Sequence, residues 1–152
     1  MGEFAAMNRS EVIAAYKKLT RDYKIANGQL WLSGGSALII LGLRDLTNDL
    51  DAGTNLNQFM QLSQLSKSQI KVFNISDGYL ENDTRLITLP KYSADVHLEQ
   101  WVMPEHLVHI DGVWCYSPYV LLEQKKKLAE RLGRQKDYAD IEALRKYILS
   151  RT

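Results

Sequence analysis

The chain has a single cysteine, Cys115, and three histidines. A lone cysteine closes no internal disulfide and builds no cysteine-rich zinc site, so a reducing cytoplasm is the expected setting. Long apolar runs are also missing. The longest, Ala37–Leu41 with Gly42 and Leu43 behind it, is far short of the ~20 residues a membrane-spanning helix needs. No basic-then-apolar leader opens the chain, and no membrane partner is expected. Charge of one sign is not in excess. Nineteen Lys and Arg against eighteen Asp and Glu leave +1, which excludes a globally basic nucleic-acid coat. Internal repeats and low-complexity linkers are absent as well. What remains is a globular composition, 45% hydrophobic and 24% charged over 152 residues, enough for one compact domain. Residues 8–152 are read as that domain. Residues 1–7, with Gly2-Glu3-Phe4 ahead of a second methionine, Met7, are read as a cloning remnant or a disordered N-terminus.

Periodicity divides the domain into elements. Asn8–Ala26 is predicted helical, with Val12, Tyr16, Leu19 and Tyr23 on one stripe and Ser10 as its N-cap. Gln29–Ser33 reads as a short buried strand, Ala37–Leu43 as a buried helix, Asn48–Ala52 as a strand and Asn57–Leu65 as a helix. Ile70–Ile75 and Arg85–Leu89 read as strands joined through Asp77-Gly78 and Asn82-Asp83. Tyr92–Trp101 alternates, with Ala94, Val96 and Leu98 on one face and Ser93, Asp95, His97 and Glu99 on the other. Leu107–Trp114 is a hairpin turning at Asp111-Gly112. Ser117 then caps a helix with Pro118 in its first turn, and Gly133 splits the remaining sequence into two helices. That tail, from Ser117, holds nine Lys and Arg against five Asp and Glu, so it is +4 behind a body of −3.

Four places carry candidate chemistry. Gly34-Gly35-Ser36 lies between a strand and a helix, where glycines and unpaired N–H groups suit a phosphate; such a pair is most often only a tight turn. Asp49-Leu50-Asp51 spaces two carboxylates onto one side of a strand. Like charges so placed call for a cation or a shared proton, and hard oxygen donors suit Mg2+ or Mn2+; the plainer reading is an exposed strand end. Asp95 stands in an alternating strand, where Asp is depleted, although Ser93 and Glu99 on its face fit a solvent-facing edge. His97 on that face is either near a metal or simply half-exposed. Finally, Arg134–Ile141 holds Lys136 and Asp140 at a spacing that allows a surface pair, with Tyr138, Ile141 and Leu144 as its buried stripe. Lys125-Lys126-Lys127 by itself is a solvated face.

Taken in order, these segments resemble the nucleotidyltransferase superfamily of the DNA polymerase β type, and among its members the small AbiEii-like and minimal nucleotidyltransferases of toxin–antitoxin and phage-defence systems. The resemblance is carried by Leu32-Ser33-Gly34-Gly35-Ser36-Ala37-Leu38, Thr47-Asn48-Asp49-Leu50-Asp51, Ala94-Asp95-Val96-His97, Ser117-Pro118 followed by Lys125, and Arg134-Gln135-Lys136-Asp137-Tyr138-Ala139-Asp140-Ile141. It implies an α/β (α+β) fold: a mixed sheet with packed helices and a helical C-terminal tail. It implies that Asp49, Asp51 and Asp95 bind Mg2+ or Mn2+ and serve catalysis. Gly34, Gly35 and Ser36 would then hold the triphosphate of an NTP such as ATP, with Lys125, Lys136 and Asp137 lining the nucleotide. The implied reaction moves a nucleoside monophosphate to a hydroxyl on RNA, protein or a small molecule, in the cytoplasm, with an antitoxin or other protein as partner. Two further readings stay open: a nucleotide- or partner-binding module of the same fold without turnover, and an interaction protein whose basic tail binds nucleic acid or an acidic partner.

Overall fold

Asn8, not Ser10, opens the first helix. Its side chain accepts from the Glu11 N–H at 2.9 Å while the Glu11 carboxylate accepts from the Asn8 N–H at 3.0 Å. This reciprocal pair satisfies two otherwise orphaned donors, which a cap at Ser10 has no acid three residues on to match. The computed structural model describes residues 6–66, 71–74 and 83–151. Within it the chain runs α1 (Arg9–Asp22), β1 (Leu30–Leu32), α2 (Gly34–Ile40), β2 (Leu50–Thr54), α3 (Leu56–Ser66), β3 (Lys71–Asn74), β4 (Asp83–Leu89), β5 (Ala94–Leu98), β6 (Leu107–Ile110), β7 (Val113–Tyr116), α4 (Pro118–Leu132) and α5 (Gln135–Leu149). Single 3-10 turns at Pro90–Tyr92 and Pro104–His106 lead into β5 and β6.

Among the described residues the seven strands form one mixed sheet in the order β3-β4-β5-β2-β1-β7-β6. The β2–β5 and β1–β7 pairs are parallel, and the other pairs are antiparallel. The fold is thus the expected mixed sheet with packed helices and a helical C-terminal tail.

Several boundaries differ from the periodicity. α1 stops at Asp22 rather than Ala26, because Lys24 takes a left-handed φ of 53° that no helix continues through. Gly34-Gly35-Ser36 is not a bend ahead of a helix but the first turn of α2 itself, capped by Ser33. β2 begins two residues later than expected, at Leu50, and β5 is confined to Ala94–Leu98 by the left-handed Ser93 before it. The hairpin at Asp111-Gly112 and the α4–α5 break at Gly133 form as read, and each turn uses a left-handed backbone. The predicted turn at Asp77-Gly78 and Asn82 lies outside the described residues. Met7, read from sequence with the segment ahead of the domain, exchanges two backbone hydrogen bonds with Thr47, at 2.7 and 3.0 Å, and packs against the core.

Strand alternation separates the two sheet faces. Leu30, Leu32, Leu50, Ala52, Ala94, Val96 and Cys115 are all buried to 1% exposure or less. They form a core with Val12, Leu19, Leu38, Ile39, Phe59 and Leu62 from α1, α2 and α3. The Tyr16 hydroxyl donates to the Leu30 carbonyl at 2.7 Å and fixes α1 over β1. Leu121 of α4 and Leu144 of α5 reach the same core. Asp51 and Asp95 alternate with the core residues of their strands and so project from the opposite face.

Candidate active site

The parallel pairing of β2 with β5 sets Asp51 opposite Asp95. Residues so paired project from the same face, on strands about 4.8 Å apart. The side chains between them in sequence, Leu50, Ala52, Ala94 and Val96, point into the core, so the carboxylates are forced outward together. Asp49 precedes β2 in an exposed bend. It is two residues from Asp51, but it lies outside the ladder.

The electrostatics register all three acids. Burial pushes Asp51 up to about 6, opposed by His97, reinforced by Asp95 and Asp49, and opposed again by Arg44. A half-buried carboxylate with two like charges in range ionises at a cost that a bound cation would relieve. Among the described residues, however, no three His, Cys, Asp or Glu side chains are gathered closely enough to hold a metal by themselves. The expected convergence is therefore a facing pair, Asp51 and Asp95, with Asp49 contributing charge from the bend rather than a closed cage. The donor set still fits Mg2+, which keeps several waters and usually takes one or two carboxylates together with substrate phosphates.

The Gly34–Ser36 turn is built around these acids. Ser36 is fully buried. Its hydroxyl donates to the Asp49 carbonyl at 2.9 Å and accepts from the Asp51 N–H at 3.0 Å. The side chain predicted to grip phosphate thus clamps the strand that carries the carboxylates, and Thr47 Oγ1 donates to the same Asp49 carbonyl at 3.2 Å. Gly34 has a φ of +51°, and a Cβ there would sit 3.2 Å from Asp51 Oδ2. Both the backbone conformation and the close carboxylate select glycine. At Gly35 a Cβ would meet Arg44 Nη1 at 2.5 Å, so the missing side chain is what lets the Arg44 guanidinium pass over this turn.

The C-terminal motif is held in a network of buried ion pairs. Asp137 is fully buried and accepts from Arg134 at 2.7 and 3.2 Å and from Lys125 at 3.3 Å. Lys125 also pairs with Asp140 at 2.9 Å, and Asp140 pairs with Arg44 at 3.2 Å. Burial raises the Asp137 pKa, but the Arg134 hydrogen bonds and the Lys125 charge outweigh it, and the carboxyl is held below its usual value. Lys125 and Asp137 are thus engaged in ion pairs with each other and with Asp140 and Arg134. They lock α4 to α5, and through Asp140 they anchor Arg44. The predicted Lys136–Asp140 surface pair does not form, because Asp140 turns to Lys125 and Arg44. Lys136 is exposed. Tyr138, expected in the buried stripe, is 48% exposed, and Asp137 takes the interior position beside Ile141 and Leu144.

Arg44 is the residue the sequence reading missed. Its partner lies 96 residues away, so no local spacing marks it. Glu99 also departs from the reading of its face as solvent-exposed. It is 2% exposed and accepts from Trp31 Nε1 at 3.2 Å over Gly53, whose lack of a side chain makes room for both. His97, two residues beyond Asp95 on the same face, places Nδ1 3.4 Å from the Ala52 carbonyl.

No protein-family profile matches the chain, and no curated protein matches it in sequence. A solved structure does: an antigenic nucleotidyltransferase-like protein from Paracoccidioides brasiliensis, with a TM-score of 0.52 and 19% identity over 95% of this chain and 78% of that one. The chain therefore has a nucleotidyltransferase-like fold. No helix among the described residues is long and apolar enough to cross a membrane.

Proposed function

We propose that the chain is a metal-dependent nucleotidyltransferase, moving a nucleoside monophosphate from an NTP to a hydroxyl and releasing pyrophosphate. The observation that carries this is the Asp51–Asp95 pair in parallel register, raised in charge by Asp49 and tied down by Ser36. Asp51 and Asp95, with Asp49 at the rim, would hold Mg2+ or Mn2+. Such an ion, when bound, polarises the phosphoryl oxygens and lowers the pKa of an acceptor hydroxyl. The residues of this chain supply the rest. Ser36 and Thr47 fix the Asp49–Asp51 segment so that the carboxylates need no reordering on binding. Arg44, held by Asp140 and resting over Gly35, offers a guanidinium to the phosphates at the glycine turn. The backbone N–H groups of Gly35 and Ser36 complete that cradle in the proposal. Asp95, on the outer strand of the pair, faces the acceptor side and receives the hydroxyl proton.

The motif resemblance extends the proposal to a toxin–antitoxin or phage-defence setting, with ATP or another NTP as donor, RNA or protein as acceptor, an antitoxin as partner and the cytoplasm as location. A second reading is supported by one specific feature, the absence of a closed three-ligand cluster among the described residues. It is a nucleotide- or partner-binding module without turnover. Incubation with each of the four α-labelled NTPs, Mg2+, total RNA and cell lysate separates the two. Label on an acceptor, lost without Mg2+, supports the transferase. Tight Mg·NTP binding with no labelled product under any condition supports the module.

A further inference from the structure

The sheet carries one row that runs away from the carboxylates. Asp95 pairs with Asp51, and the Asp51 carbonyl accepts from the Ser33 N–H at 2.9 Å. Extending the parallel Leu32–Cys115 register by one residue sets Ser33 beside Tyr116. Asp95, Asp51, Ser33 and Tyr116 therefore follow one another across β5, β2, β1 and the end of β7, and the row ends on Tyr116, which is fully buried in the core cluster. Two strand spacings, roughly 10 Å, separate Asp51 from Tyr116.

At the Tyr116 end of this row stands an aromatic platform. The buried Tyr116 ring is stacked by Trp101, with centroids 5.6 Å apart and planes at 19°. Trp101 is also packed against the His106 ring at 5.5 Å, yet it remains 38% exposed. It lines a cavity of about 380 Å3 together with His106, Tyr119, Val120, Glu123, Gln124 and Lys127. That volume falls in the range of roughly 300–1,000 Å3 typical of small-molecule sites. His106 Nδ1 accepts from the Met103 N–H at 2.9 Å, so its ring proton sits on Nε2.

Gln124 brings an unpartnered amide to the cavity wall. The residue is 8% exposed, and its Nε2 has no hydrogen-bond partner. A buried amide donor left unpaired is costly, and a ligand acceptor reaching into the cavity would complete this one. A flat aromatic surface beside an unsatisfied amide suits a flat heteroaromatic ring with acceptor atoms on its edge. An aliphatic chain would leave the amide bare, and a bare phosphate would make no use of Trp101.

We propose that this cavity is the nucleobase subsite for the donor NTP, with the base stacked on Trp101 and hydrogen-bonded by Gln124 while the phosphates lie at Asp51 and Asp95. This rests on the nucleotidyltransferase reading for the phosphate end, and the cavity supplies the base end.

Tryptophan emission during titration with the four nucleoside monophosphates, without divalent metal, tests it. A short single-stranded RNA and inorganic triphosphate serve as comparison probes, and label transfer is measured in parallel. At least one monophosphate should quench emission saturably, and inorganic triphosphate should not. Trp101→Leu should weaken that binding by about 5- to 100-fold, and Gln124→Leu should change the order of preference among the bases. Thermal unfolding confirms that each variant is folded, and Gln124→Leu stands alone if Trp101→Leu is not. Unchanged nucleotide affinity and base preference in the folded variants would overturn the subsite, even if label transfer proceeds. Quenching by RNA but by no monophosphate would also overturn it, because the cavity would then serve the acceptor. Trp101-dependent monophosphate binding with no transfer by the wild type would keep the subsite and remove the catalytic reading instead.

Discussion

Asp51 and Asp95 occupy the same register position on two parallel, neighbouring strands, so two carboxylates leave the sheet side by side with Asp49 close enough to raise the first of them. The arrangement costs stability as well as offering a site. The Asp51 pKa rises from 3.8 to about 6 on folding, so the folded protein holds this proton more tightly than the unfolded chain does. Its contribution therefore weakens the fold as pH rises through that interval, and the full penalty is present at pH 7.

Asp51→Asn should accordingly be more stable than wild type in metal-free buffer at pH 7.5, by on the order of 2 kcal/mol. The advantage should vanish near pH 4. Mg2+ should stabilise the wild type at pH 7.5 more than at pH 5, where protonated Asp51 competes with the ion. Urea denaturation at these pH values, with and without Mg2+, measures all three effects. An Asn variant no more stable than wild type at pH 7.5 would contradict them.

The ion pairs of α4 and α5 should behave in the opposite sense. Asp137 has a lowered pKa in the fold, so its stabilisation is present above its unfolded pKa and is lost as pH falls through the folded one. Asp137→Asn leaves Lys125 and Arg134 without their buried partner and should cost about 2–4 kcal/mol at pH 7. Lys136→Ala, one residue away and exposed, should change stability by less than about 0.5 kcal/mol. Chemical denaturation of the two variants checks the contrast, and equal losses would refute the assignment of Asp137 to the α4–α5 lock.

Ser36→Ala should lower stability by about 1–3 kcal/mol, because it strips a fully buried hydroxyl from both the Asp49 carbonyl and the Asp51 N–H. Ser33→Ala, at a helix cap whose side chain makes no capping hydrogen bond, should cost less than about 0.5 kcal/mol. If the clamp also presets the carboxylates, Ser36→Ala should weaken Mg2+ affinity in calorimetry while Ser33→Ala leaves it unchanged.

Local spacing made most of the elements readable. The core stripe Val12–Tyr16–Leu19, the alternation of Ala94, Val96 and Leu98, and the Ser117-Pro118 helix start each rest on contacts within a few residues. Asp49-Leu50-Asp51 and Asp95 stood out because acids are uncommon where apolar alternation demands a strand. What escaped was set by distant partners. Ser36 looks like a phosphate ligand until Asp49 and Asp51 come to it. Lys136 and Asp140 look paired until Arg44 and Lys125 outcompete the helix neighbour. Glu99 looks solvated until Gly53 opens room for it beside Trp31. Asn8 was legible in principle, since Glu11 three residues later is the mark of a capping box.

The central claim is that Asp51 and Asp95 act as one unit in nucleotidyl transfer. Single-turnover label transfer from α-labelled NTP, compared across wild type, Asp51→Asn, Asp95→Asn and the double variant, addresses it most directly. Residues that fail together should each cost the rate about 100-fold or more, and the double variant should be little worse than the poorer single one. Asp95→Asn transferring at the wild-type rate, or a double-variant loss equal to the product of the two single losses, would contradict the claim.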